Sequence, residues 1–156
     1  MLSQKTRYAL RALLHLAEHA EAEGAPVPLA RIAERQRAPR KFLEAIMVEL
    51  GRAGFVASRR GPGGGFTLKR PADSITFAEV IRAVDGPIAL VPCASLNFYA
   101  RCGDCHDESG CAIRRAMVVV RDETDRILSR TTLASALKAE ELVETLEDRT
   151  TLTRSS

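Results

Sequence analysis

Residues 55–70 read FVASRRGPGGGFTLKR, from Phe55 to Arg70. Two short runs suited to extended backbone, Phe55–Arg60 and Phe66–Arg70, flank Gly61-Pro62-Gly63-Gly64-Gly65. Phe66 and Leu68 alternate with Thr67 and Lys69, the period of a half-buried strand, and a glycine-bearing connection predicts a hairpin. Arg59, Arg60, Lys69 and Arg70 stand at its flanks. A glycine run can also cradle nucleotide phosphates. This one lacks the Lys-Ser/Thr of a P-loop and opens no helix, which argues against that reading. A small basic wing remains.

Upstream, the spacing predicts three helices. The first covers 3–21, where Ala9, Leu13, Leu16, Ala17 and Ala20 repeat with helical period. Gly24, Pro26 and Pro28 interrupt it. Pro28 suits the first turn of a short second helix whose inner face is Leu29, Ile32 and Ala33. The turn Gln36-Arg37-Ala38 leads to a third helix over 39–53. Phe42, Leu43, Ile46 and Leu50 form its inner face, and Arg40, Lys41 and Glu44 lie on the other side of its first two turns. Gly54 suits the position past its end. Two short helices around a tight turn are a helix-turn-helix pattern, whose second helix offers its N-terminal residues to a major groove.

Downstream, Thr76 and Glu79 form a capping box with Ile75 and Val80 as its hydrophobic staple. That helix ends at Asp85-Gly86-Pro87. All four cysteines then follow in one stretch, Cys93, Cys102, Cys105 and Cys111, among small, polar and glycine residues. A longer helix runs to about Ser129, with Ile113, Met117, Val120, Thr124 and Ile127 spaced as a seam for a partner helix. The alternative is a helix packed within its own core. A last helix is predicted over 132–146, before a polar, disordered tail at 147–156. The expected fold is mostly α with a small β-wing. Its parts are a winged helix-turn-helix (1–72), a connecting helix (73–88), a cysteine loop (89–112), and a dimerisation helix with a C-terminal helix (113–146).

The net charge of +3 is unevenly spread. Residues 1–70 hold 13 Lys/Arg against 6 Asp/Glu, and residues 71–156 hold 10 against 14. A basic half joined to an acidic half suggests a nucleic-acid partner for the first. No stretch has the length of a membrane span, and the N-terminus lacks the apolar region of a signal peptide. The expected location is the cytoplasm, where clustered cysteines bind metal or sense redox more often than they form structural disulfides. No nucleophile–base pair is organised anywhere, so an enzyme is not expected. His15 and His19, one helical turn apart, are expected on the helix surface, and His106 as a solvated loop residue.

Thiolates are soft ligands that suit zinc or an iron–sulfur cluster. Only Cys102 and Cys105 form a close pair, whereas a zinc knuckle usually has two. The wide spacing of the others suits a larger inorganic core. Zinc and a metal-free thiol switch, the latter through a Cys102–Cys105 disulfide, stay open as alternatives.

The chain resembles the IscR/NsrR-type family of bacterial winged-helix transcription regulators over roughly residues 1–138. The resemblance is carried by Thr6-Arg7-Tyr8-Ala9-Leu10-Arg11, Lys41-Phe42-Leu43-Glu44, Arg59-Arg60-Gly61-Pro62-Gly63-Gly64-Gly65-Phe66, Ile75-Thr76 and Ile81-Arg82-Ala83-Val84-Asp85-Gly86-Pro87. It implies a homodimer on a partly palindromic operator in double-stranded DNA, and an iron–sulfur cluster held by three cysteines of the loop. Cys93 and Cys111 match the outer two. Cys105 has the family gap to Cys111, and Cys102 lies closer to the usual distance from Cys93. The position of the usual fourth ligand holds Arg114 by one family pattern and Arg7 by the other. The implied ligand set is Cys93, Cys105 and Cys111, with Cys102 as fourth ligand or redox partner. Arg40, Lys41 and Glu44 are expected at base edges, and Arg59 and Arg60 at phosphates or the minor groove. The expected function is a repressor that senses iron, redox state or nitric oxide.

Overall fold

The computed structural model describes residues 2–22, 24–103 and 105–138. Its centre is α1 (Gln4–Ala22), against which α2 (Leu29–Gln36), α3 (Arg40–Arg52), α4 (Phe77–Val84), strand β2 (Gly65–Leu68) and α6 (Leu133–Leu137) all pack. Ala9, Ala12 and Ala17 alternate with Leu10, Leu13 and Leu16 on the buried surface. The alanines let neighbouring helices approach closely, and the leucines supply the apolar area removed from water. Because α1 is enclosed on several sides, it has no wide solvent face. His19 is buried, and the His15 side chain is nine-tenths buried. The expectation of two surface histidines is therefore corrected.

Between α2 and α3 the chain reverses at Arg37, a non-glycine residue in the left-handed region (φ 50°). Leu43, Ile46, Met47 and Leu50 form the buried stripe of α3. Phe42 is 37% exposed, so Met47 takes the core place expected of it. Position 42 lies at the edge of the stripe, where its ring meets Tyr8 edge-on at 5.8 Å.

The wing pairs β1 (Val56–Arg59) with β2 antiparallel, from Val56 opposite Leu68 to Arg59 opposite Gly65. A further rung joins it to the body. Val27 exchanges two backbone hydrogen bonds of 2.9 Å with Phe66. Gly65 makes this rung possible, since a Cβ there would stand 2.4 Å from the Val27 carbonyl.

The capping box of α4 forms as its sequence predicts. Glu79 N–H donates to Thr76 Oγ1, and Thr76 N–H donates to Glu79 Oε2 at 2.9 Å. Ile75 and Val80 are buried beside it. The helix following the cysteine loop, α5 (Ala112–Arg130), has no fully buried residue. It is not the core helix considered as the alternative. Past it the chain returns to the body: Phe77 N–H donates to Thr131 O, and Leu133 N–H to Ile75 O. Leu133 then fills the core from the start of α6. The remainder of the helix predicted to 146, and the tail at 147–156, lie outside the described residues.

Candidate nucleic-acid interface and cysteine loop

Arg40, Lys41 and Glu44 are exposed on the first two turns of α3, and Arg59 and Arg60 are exposed on the wing. The structure thus leaves all five available to a ligand. Helix α3 is braced from behind by Lys5 of α1, whose ammonium lies 2.7 Å from Glu49. Arg70, also at the wing flank, has a different task. Its guanidinium pairs with Glu79 at 3.1 Å and lies 5.5 Å from the Phe55 ring centroid, tying the wing base to α4. Burial raises the Glu79 carboxyl, but the Thr76 backbone N–H, Arg70 and the Thr76 hydroxyl together hold it below the usual carboxylate range.

The cysteine loop begins at a single 3-10 turn, Pro92–Ala94, and ends at the first residue of α5. None of the four cysteines is joined in a disulfide. Cys93 is only 6% exposed, and its sulfur lies 3.7 Å from that of Cys102. Cys105 follows in a turn, its N–H donating to Cys102 O at 3.3 Å. Burial first, then Cys111, Glu108 and Cys93, push the Cys105 thiol up, with Arg101 opposing. Cys111 caps α5 through its sulfur, which accepts the Arg114 N–H at 3.4 Å. Asp107 closes the intervening bend by accepting from the N–H groups of Ser109 and Gly110. His106 is exposed.

Among the described residues no three His, Cys, Asp or Glu side chains converge tightly enough to hold one metal ion. Of the four thiols, Cys93 and Cys102 are in contact. By donor chemistry, a soft thiolate set drawn from one loop suits an iron–sulfur core or zinc.

Sequence reasoning missed how this loop is tied to the rest. Arg114 Nε donates to Cys93 O at 3.1 Å, and Arg121 donates to Ala94 O. Arg114 thus braces the loop from the position where one family pattern places a ligand; Arg7 is exposed on α1. From α5, Asp125 pairs with Arg82 of α4. At the end of α4, Asp85 accepts from the Ser3 N–H at 3.0 Å and from the Ser3 hydroxyl, clasping the start of α1. The available signal was the seven-residue spacing of Arg114 and Arg121, which puts both on one helix face.

Residues 2–139 match the model of the Rrf2 family, described as an iron-dependent transcriptional regulator. An rrf2-like HTH-type transcriptional regulator of Rhodobacter capsulatus is 43% identical over 121 residues, covering 77% of this chain and 81% of that protein. The HTH-type transcriptional regulator IscR of Vibrio campbellii is 38% identical over 151 residues, 95% of this chain and 83% of the relative. Among solved structures, CymR (YrzC), the global cysteine regulator of B. subtilis, superposes with a TM-score of 0.73 at 30% identity, over 89% of this chain and 97% of that one. The T. potens IscR structure gives 0.69 at 28% identity, over 90% and 88%. These relatives are regulators rather than enzymes, and their mostly helical fold with a two-stranded wing is the one described above. The chain belongs to the Rrf2 family and is a DNA-binding regulator of transcription.

Proposed function

We propose that this regulator is a homodimeric repressor in the cytoplasm that senses iron, redox state or nitric oxide through an iron–sulfur cluster held by Cys93, Cys105 and Cys111, with Cys102 beside them. The observation that carries this reading is the gathering of every thiol in one loop whose two ends are bonded to α5. When bound, such a cluster supplies a centre that reacts with oxidants and nitric oxide. The chain's own residues do the rest. Arg114 and Arg121 hold the turn carrying Cys93, so a change in loop shape reaches α5 directly. The Arg82–Asp125 pair carries it to α4, and the Asp85–Ser3 clasp to α1, behind the reading helix.

The dimer is supported by the surface of α5. Ile113 and Val119 are 68% and 62% exposed. A groove of about 520 Å³ also opens between α4, residues 87–90 and α5, lined by Leu2, Ile81, Ile88, Leu90, Val120 and Leu128. Exposed apolar area of this kind marks an association surface. A two-fold dimer places two reading helices on successive major grooves, hence a partly palindromic operator. At base edges, one well-placed Arg40 or Lys41 contributes about 1–3 kcal/mol of discrimination. Arg59 and Arg60 add salt-dependent affinity through phosphates.

The test is the visible spectrum, iron and acid-labile sulfide of protein purified without oxygen, followed by operator titration with and without the metal. A brown protein with stoichiometric iron and sulfide, and an affinity that changes on metal removal, is the expected result. A colourless zinc protein would instead make the loop a structural staple. Equal affinity in both states would sink the coupling.

A further inference from the structure

The 3.7 Å contact between the Cys93 and Cys102 sulfurs is built by the fold of the loop, not by proximity in sequence. Cys93 sits on a turn held from α5 by Arg114 and Arg121. The segment after it folds back. Phe98 N–H donates to Ser95 Oγ at 3.0 Å, and Ala100 N–H to Pro92 O at 3.4 Å. The Phe98 ring lies against Gly86 at the end of α4. This return brings Cys102 onto Cys93. Cys111, in contrast, is anchored at the start of α5.

We propose that Cys93 and Cys102 are the redox pair of the loop, and that in the metal-free chain they close to a disulfide on exposure to a peroxide. The proposal rests on the loop being the sensor, and it assigns the role of the additional cysteine. The sulfurs have only to move from 3.7 Å to the bonded distance of about 2.05 Å. Cys102 is the more exposed of the two and is oxidised first. Its thiol takes one oxygen from hydrogen peroxide to give a sulfenic acid, and one water leaves. The buried Cys93 thiol then attacks that sulfur, the S–S bond forms, and the sulfenic oxygen departs as a second water. Two thiols have lost two electrons and two protons, and the peroxide O–O bond has taken up both. The product removes an outer thiolate from the loop, so the chain cannot reload metal until it is reduced. Metal loss under oxidation thereby becomes a state that persists. This pairing differs from the Cys102–Cys105 disulfide considered as a thiol switch.

Trypsin separates the two residues. Cleavage after Arg82, Arg101 and Arg114 puts Cys93 in the peptide 83–101 and the other three cysteines in the peptide 102–114. Full-length protein is reduced, freed of metal with a chelator, treated with hydrogen peroxide, alkylated and digested. The expected product is the two peptides joined, released by reductant, absent in Cys102→Ser and retained in Cys105→Ser and Cys111→Ser. A link that survives in Cys102→Ser would overturn the pairing, as would a disulfide confined to residues 102–114 or a dimer band on a non-reducing gel. Because the mapping uses metal-free protein, it is decided separately from the visible spectrum. A colourless protein with this link would sink the cluster and leave the pair; a brown protein without it would do the reverse.

Discussion

His15 shows how much one side chain can depend on its surroundings. Among the described residues, neither of its buried ring nitrogens has a hydrogen-bond partner. Burial, followed by the nearby Arg35, lowers its pKa below the ordinary value of 6.5, with Glu18 opposing and His19 and Arg31 adding to the fall. The folded chain therefore prefers neutral His15, while the unfolded chain takes up a proton near 6.5. Stability is fully present above that value and falls as pH drops through it towards the folded pKa, by at most about 1.4 kcal/mol per pH unit. Urea unfolding at pH 7.5 and 5.5 should show this loss, and His15→Leu should remove this contribution to the slope. An unchanged slope in the variant would mean that other groups carry it. Gly65 is the second case. Its Cβ would strike the Val27 carbonyl, so Gly65→Ala should lower stability by about 1–3 kcal/mol, as overpacking does. It should also weaken DNA binding, because the rung that fixes the wing is lost. Thermal melting and fluorescence anisotropy read the two effects.

Among the elements, α4 and α5 differ in what holds them. The start of α4 depends on its capping box, and Thr76→Ala should cost about 1 kcal/mol with α5 unaffected. Chemical denaturation measures it directly. Among the described residues nothing fully buries α5, and Ile113, Val119, Val120 and Ile127 are exposed on it. Val119→Lys combined with Ile127→Lys should therefore leave the melting temperature of the monomer body nearly unchanged. Sedimentation should show the dimer replaced by monomer, and operator affinity should fall because two linked half-site contacts become independent. A variant pair that still sediments as a dimer would place the interface elsewhere.

For the molecule as a whole, the question is how the loop reaches the reading helix. Among the described residues, Arg82 and Asp125 form an ion pair between α4 and α5, and both are partly exposed. Such a pair contributes little to stability, typically about 0–1 kcal/mol. Its removal should instead affect communication. Asp125→Ala should shrink the difference in operator affinity between metal-loaded and metal-free protein several-fold, while unfolding free energy changes by less than about 1 kcal/mol. Titrations of both states, run beside denaturation, separate the two effects. An undiminished difference would remove the pair from the route.

Much of this architecture was legible in the linear chain because it is governed by near neighbours. Thr76 and Glu79 are three residues apart, the glycine run sits between its own strands, and Leu43, Ile46 and Leu50 follow one helical stripe. The confinement of all four cysteines is likewise a property of the sequence, as are the basic residues left exposed on α3 and the wing. Other features depend on partners distant in the chain. His15 and His19 are buried because α2 and other elements enclose α1. Phe42 moves outward because Met47 is better aimed at the core. Val27 becomes a strand rung only when Phe66 arrives, and Leu133 a core residue only when the chain returns to Ile75. The same holds for the loop. Its composition marks it as rich in thiols, but the return of residues 95–101 across the Pro92–Ala94 turn decides which sulfurs meet. Short-range periodicity and capping are encoded by spacing, whereas burial and long-range pairing exist only once the helices pack.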